Sequence, residues 1–161
     1  MPHYHSLGHI PPKRHTQFRR PDGQLYAEEL FSTEGFSNSY SLLYHHYPPT
    51  AILNVSKPIS MKPSLAGDME MLHRSFKSFD VAPQDDFLES RVILLTNNDV
   101  QIGMARPRHS MTAYFYKNGD SDEVIFVHQG SGTCCTNYGE LDFKYGDYII
   151  IPRGVIYQMN F

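Results

Sequence analysis

From Arg91 to Phe161 the chain is cut into short apolar runs by turn residues, a punctuation that leaves no room for a long helix. Residues 92–95, 100–104, 111–116, 123–127, 133–136 and 148–151 read as strands, rich in Val, Ile, Thr, Phe and Tyr. Asn97-Asn98-Asp99, Asn118-Gly119, Gly130-Ser131-Gly132, Asn137-Tyr138-Gly139 and Tyr145-Gly146-Asp147 separate them. Strands this short cannot each support a core. They bury apolar surface only by stacking, so the spacing predicts a sandwich or small barrel. With 11 Tyr, 10 Phe and no Trp, the aromatic content suits a strand-rich protein.

The upstream half reads differently. Residues 1–63 are rich in His, Tyr and Pro, broken at Pro11-Pro12, Pro21-Asp22-Gly23, Pro48-Pro49, Pro58 and Pro63. Only residues 41–44 and 51–55 look like strands there, so the segment is an arm that must lie against something else. Residues 64–80 carry Leu65, Met69, Leu72 and Phe76 at helical spacing and are the one candidate short helix, weakened by Gly67. The expected organisation is therefore an N-terminal arm over 1–63 and a barrel segment over 64–161. The 161 residues suffice for one domain, and 40% hydrophobic with 19% charged residues is a globular composition.

Charge and cysteine usage exclude several functions. A net charge of -3, with only Lys13-Arg14 and Arg19-Arg20 as dense basic spots, gives no nucleic-acid footprint. No apolar run follows the N-terminus and none approaches transmembrane length, so neither a signal peptide nor a membrane span is expected. Cys134 and Cys135 are adjacent, too close to close a useful loop or to chelate one zinc comfortably. They point to a reducing, cytoplasmic setting.

The most specific spacing lies near the end: Gly146, five residues, Pro152, one residue, Gly154. Upstream, Glu123 precedes Gly130 by seven positions. This resembles the two cupin motifs, G(x)5HxH(x)3-4E(x)6G and G(x)5PxG(x)2H(x)3N. Gly146, Pro152 and Gly154 match the turn positions, where Gly permits a tight reversal and Pro fixes the backbone. The ligand positions fall on Tyr116 and Asn118 (flanking Lys117), Glu123 and Tyr157. Only the carboxylate is kept. A non-haem Fe(II) site needs two imidazoles and a carboxylate on one face, so no metal is expected here.

The resemblance over the whole chain is narrower. PHYHSLGHIPPKRHTQFR, GFSNSYSLLYHHYPPT, HRSFKSF, DEVIFVHQGSG and GDYIIIPRGVIYQMNF are similar to the N-terminal lobe of the homogentisate 1,2-dioxygenase family in its bacterial form. What that resemblance implies is a cupin-like jelly-roll β-barrel, mostly β, with an irregular or strand-bearing N-terminal arm and one short helix. It also implies Fe(II)- and O2-dependent opening of homogentisate to maleylacetoacetate, in tyrosine and phenylalanine breakdown. The family's ligands, two His and one Glu, lie in a second barrel absent from these residues. No catalytic, cofactor-binding or metal residue is therefore carried over, and no iron is expected on this lobe itself. The implied partners are a small aromatic acid and O2, no nucleic acid, no membrane, and further copies in a trimer or hexamer. Ending at Phe161, just after the second motif, the chain is expected to be a piece of a longer polypeptide.

The remaining residues are read on their own chemistry. His3 and His5 could chelate together if extended, but they and His9 and His15 read first as packing or interface groups. His45 and His46 alternate across a strand, so one is expected to be buried with a hydrogen bond and the other exposed. Arg106-Pro107-Arg108 before His109 makes a basic turn that could clamp a carboxylate, although a surface loop is the simpler reading. His128, in phase with Val124 and Phe126, is expected in the core. Glu123 is expected to pair with Lys117 or Arg153. Two further functions stay open: a free-standing, metal-free cupin for binding or assembly, and a small enzyme with metal on His109, Glu123 and His128.

Overall fold

A computed structural model describes residues 17–161 apart from positions 36, 59, 61, 68–72 and 74. The histidines His3, His5, His9 and His15 and the basic pair Lys13-Arg14 lie outside the described residues. The chain divides into two compact units, Met1–Ser56 and Lys57–Phe161.

In the first unit, β1 (Ala27–Glu34) and β2 (Ser37–His45) form an antiparallel hairpin with Ala27 opposite His45 and Leu30 opposite Leu42. The pairing is irregular between Ser32 and Glu34. Phe18 packs on Tyr44 at 4.6 Å between centroids, and Tyr26 meets the His46 ring edge-on. His45 is half-buried, its Nε2 2.7 Å from the Glu29 carboxylate, while His46 is exposed. β1 escapes the sequence pattern because Glu28-Glu29 breaks its alternation. Residues 51–55, expected as a strand, have no regular structure, and Leu53 is 97% exposed. Prolines on both sides remove donors, and the segment finds no ladder partner among the described residues.

The second unit is built from strands β3 (Arg91–Thr96), β4 (Gln101–Ala105), β5 (Tyr116–Lys117), β6 (Glu123–Phe126), β7 (Ser131–Thr136), β8 (Gly139–Lys144), β9 (Tyr148–Ile151) and β10 (Ile156–Asn160). They form an antiparallel sheet in the order β5-β10-β7-β8 and two separate ladders, β3-β4 and β6-β9. This is a β-rich, cupin-like fold. Gly146 and Gly154, the motif glycines, sit at φ 91° and 83°, conformations that cost a side-chain-bearing residue energy. Gly132 is required for another reason: a Cβ there would stand 2.1 Å from the Asn160 carbonyl oxygen.

Alternation decides which face is inside. Along β9, Ile149 and Ile151 are buried while Tyr148 and Ile150 are exposed; on β10, Tyr157 and Met159 are buried. Met111, Cys134, Phe87, Phe143, Val127 and Val155 complete the core. Glu123 stands opposite Ile151 in the β6-β9 ladder, which turns a carboxylate toward this apolar interior.

The strand pattern differs from expectation in two further places. Of residues 111–116, only Tyr116 is in a strand. Upstream, the chain follows β10 through single bonds, Met111 N–H to the Met159 carbonyl (2.9 Å) and the Gln158 side chain to the Tyr114 carbonyl (3.0 Å). β8 was not expected. Over residues 64–80 the only helical feature among the described residues is a 3-10 turn, Ser78–Asp80; residues 68–72 and 74 of that run lie outside them. Among the described residues, no helix is long and apolar enough to cross a membrane.

Candidate functional site

The four positions that match the cupin ligand pattern come together, and they close on a residue the motifs do not contain. Tyr116 ends up on β5, Asn118 just after it, Glu123 at the start of β6 and Tyr157 near the start of β10. Arg91, the first residue of β3, reaches into the middle of them. Its Nη1 donates to Glu123 Oε1 at 2.7 Å, and its Nη2 to Glu123 Oε2 at 3.3 Å and to the Tyr157 hydroxyl at 2.6 Å. The Tyr157 hydroxyl in turn donates to Glu123 Oε2 at 2.5 Å. This is a forked ion pair with a phenol inserted into one arm.

Aromatic faces complete the enclosure. The guanidinium carbon lies 4.5 Å from the Phe87 ring centroid and 5.5 Å from that of Tyr116, and Tyr116 meets Tyr157 edge-on at 5.6 Å. A weakly hydrated planar cation is favoured between such rings. The ion-pair partner of Glu123 is Arg91, in place of the expected Lys117 or Arg153.

Local structure fixes each member. Asn118 Oδ1 accepts the N–H groups of Asp120 (3.0 Å) and Ser121 (3.2 Å), which sets the turn and aims its Nδ2 at Glu123 Oε1 (3.1 Å). The Asn118 carbonyl accepts the Gly154 N–H at 2.7 Å, joining the turns of the two motifs. On the other side, Asp86 Oδ1 accepts the N–H groups of Leu88 (2.9 Å) and Glu89 (3.0 Å), starting the turn that delivers Phe87 and Arg91. Ser90 within that turn is fully buried.

The electrostatics follow from this packing. Burial pushes the Glu123 carboxyl up, but the hydrogen bonds from Arg91 and Tyr157 and the guanidinium charge outweigh it and hold it below the ordinary carboxylate range. Burial works against the Arg91 charge as well, and the bond to Glu123 more than restores it. Tyr157 is driven well above an ordinary phenol, first by burial and then by its bond to the carboxylate, so it stays neutral.

As a donor set for Fe(II) the cluster does not fit. It offers one carboxylate, two phenols and an amide whose oxygen is committed to a turn, where the metal needs two imidazoles. Nor are His109, Glu123 and His128 gathered: among the described residues no group of three or more His, Cys, Asp or Glu could hold a metal ion. His128 is exposed rather than in the core, with Phe79, Phe126 and Tyr145 around its ring. Arg106 Nη1 instead donates to the carbonyls of Phe79 (2.7 Å) and Val81 (2.5 Å), a structural tie in keeping with the surface-loop reading. The thiols are free; burial, then its neighbour Cys135, raises Cys134 to about 11, the opposite of an activated nucleophile.

Sequence reasoning missed Arg91. Its partners lie 32 and 66 residues away, and nothing in the run Arg91-Val92-Ile93-Leu94-Leu95 marks the first side chain as inward. The one available signal was the inward phase of Glu123, since a carboxylate facing a core demands a cation.

Comparison with known proteins places this geometry. A family model described as "Homogentisate 1,2-dioxygenase N-terminal" matches residues 6–161. A protein of Saccharolobus solfataricus, provisionally named a dioxygenase, is 37% identical over 161 residues, covering all of this chain and 42% of its own length. A homogentisate 1,2-dioxygenase of Nitrobacter hamburgensis is 30% identical over 172 aligned positions, covering 95% of this chain and 38% of its own. The chain thus spans about two fifths of the length of these curated relatives. It belongs to the homogentisate 1,2-dioxygenase N-terminal family.

Proposed function

We propose that this chain is the metal-free N-terminal lobe of an Fe(II)- and O2-dependent dioxygenase that opens the homogentisate ring to maleylacetoacetate, a step of tyrosine and phenylalanine breakdown in the cytoplasm. Both oxygen atoms of O2 enter the product, so no external reductant is needed. Iron in such an enzyme positions the substrate and O2 together. The residues of this lobe take no part in that step. They serve as scaffold beside a second, iron-bearing lobe, and the small aromatic acid and O2 are partners of the whole enzyme.

The observation that carries this reading is the cluster at the ligand positions, where Glu123 is already bound by Arg91 and Tyr157. A scaffold role is further supported by the outward face of the β6-β9 ladder. Val124, Phe126, Tyr148 and Ile150 are all exposed there, an apolar surface of the kind that packs against another domain or subunit. A trimer or hexamer is the proposed assembly.

The test is metal analysis of the 161-residue chain after anaerobic incubation with Fe(II) and dialysis, beside an assay for ring cleavage. The expected result is no stoichiometric iron and no maleylacetoacetate. Retained stoichiometric iron, or turnover by this chain alone, would overturn the scaffold assignment.

A further inference from the structure

We infer that the pocket formed by Glu123, Tyr157, Phe87 and Tyr116 is a receptor for a planar guanidinium cation, filled in the native chain by Arg91, and that an alkylguanidinium ion rather than a divalent metal will fill it once Arg91 is cut back. The inference rests on the geometry of the cluster and not on the ring-cleaving reading, so the two can fail separately.

The pocket matches a guanidinium in shape and in hydrogen-bond direction. Glu123 offers both oxygens to the two terminal nitrogens, at 2.7 and 3.3 Å, in the forked arrangement that only a planar cation satisfies. Tyr157 donates its proton to Glu123 and so presents a lone pair, not a proton, to Nη2 at 2.6 Å. The Phe87 and Tyr116 rings lie near the cation at 4.5 and 5.5 Å. No bond is needed from Nε, which leaves that corner for the alkyl stem of a ligand.

The same features disfavour a divalent metal. Asn118 turns an N–H2 group toward Glu123, and its oxygen holds the turn that positions it. The hydroxyl of Tyr157 would have to lose its proton to ligate, and Fe(II) or Zn(II) would then have one carboxylate and no imidazole. The site can also be reached. The Arg91 and Glu123 side chains keep 26% and 12% of their exposure, so a small cation has a route from solvent that a sealed core would deny it.

The test is Arg91→Ala in the full chain, melted with increasing ethylguanidinium chloride at low millimolar concentration. Sodium chloride at matched ionic strength, urea as a neutral planar analogue, and Co(II) serve as comparators. A saturable rise of roughly 5 °C is expected for Arg91→Ala with ethylguanidinium, no rise for the native chain, and none for Arg91→Ala/Glu123→Gln. Equal stabilisation by sodium chloride or urea would overturn the inference, as would a saturable rise with Co(II) and none with ethylguanidinium. If Arg91→Ala emerges unfolded, its refolding yield from urea becomes the readout. A several-fold gain with ethylguanidinium over sodium chloride supports the receptor, and equal yields overturn it.

Discussion

Replacing Glu123 by Gln keeps the size of the side chain and removes its charge, leaving the Arg91 guanidinium enclosed between Phe87 and Tyr116 without a counter-ion. Breaking a fully buried ion pair from one side costs about 3–5 kcal/mol. Here the two side chains keep 26% and 12% of their exposure, so water recovers part of that cost, and about 2–3 kcal/mol is expected for the variant. The cost is high for one pair because Glu123 also accepts from Tyr157 and Asn118, and Gln has a single acceptor left for three donors. Urea unfolding followed by far-UV circular dichroism is the appropriate assay, since the chain has no Trp. With a slope of about 1.5 kcal/mol/M, the midpoint should fall by about 1.3–2 M. Arg91→Met should cost a similar amount by stranding the carboxylate, and the double variant should cost about 2 kcal/mol less than the sum of the two. A loss below about 0.5 kcal/mol, or strict additivity in the cycle, would refute the claim that the two charges depend on each other.

The pH dependence has two sides. Glu123 is depressed in the folded chain, so its contribution is present above its unfolded pKa, near 4.5, and is lost as pH falls through the lower folded value. The melting temperature should therefore drop below about pH 4.5, and drop less steeply in Glu123→Gln. Tyr157 is raised, so its contribution is intact below about pH 10 and is lost as pH rises above that, which alkaline melts compared with Tyr157→Phe would show. Gly132→Ala forces a Cβ to within 2.1 Å of the Asn160 carbonyl and should cost at least about 2 kcal/mol in urea unfolding; a neutral outcome would mean that β7 and β10 do not approach as described. Asn118→Ala should cost about 1–2 kcal/mol and speed hydrogen exchange at the Gly154 amide, which the Asn118 carbonyl accepts, more than at the Met159 amide on β10.

The sequence revealed period and punctuation well and long-range partners poorly. β3, β4, β6, β7 and β9 were legible because apolar, β-branched runs stand between Asn- and Gly-rich turns. The motif glycines announced turns that the positive φ at Gly146 and Gly154 bears out. β1 was hidden because its Glu28-Glu29 pair masks the alternation, and residues 51–55 misled because an apolar run has no strand without a ladder to join. At the site, the resemblance to the cupin motifs put Tyr116, Asn118, Glu123 and Tyr157 at one set of positions, while Arg91 was invisible. Local pattern says which face a residue occupies. It does not say which of the chain's fourteen cations will cross to meet it.

That asymmetry has a physical reading. Arg91, Glu123 and Tyr157 belong to three different hydrogen-bonded assemblies, the β3-β4 ladder, the β6-β9 ladder and the β5-β10-β7-β8 sheet. No backbone ladder joins these assemblies among the described strands, so side chains join them beside single backbone bonds such as that from Gly154 N–H to the Asn118 carbonyl. A metal at the pattern's ligand positions would tie strands together by charge and coordination. Here the phenol of Tyr157 and the amide of Asn118 cannot carry a divalent charge, yet Glu123 still faces inward and still needs a cation. A guanidinium on a neighbouring strand meets that need with one charge instead of two, and with directional bonds in place of coordination. The cost falls on exchangeability: a covalently tethered cation cannot leave, bind substrate or open a coordination position. Such a site holds strands together by directional bonds, and it suits the scaffold role proposed for this chain.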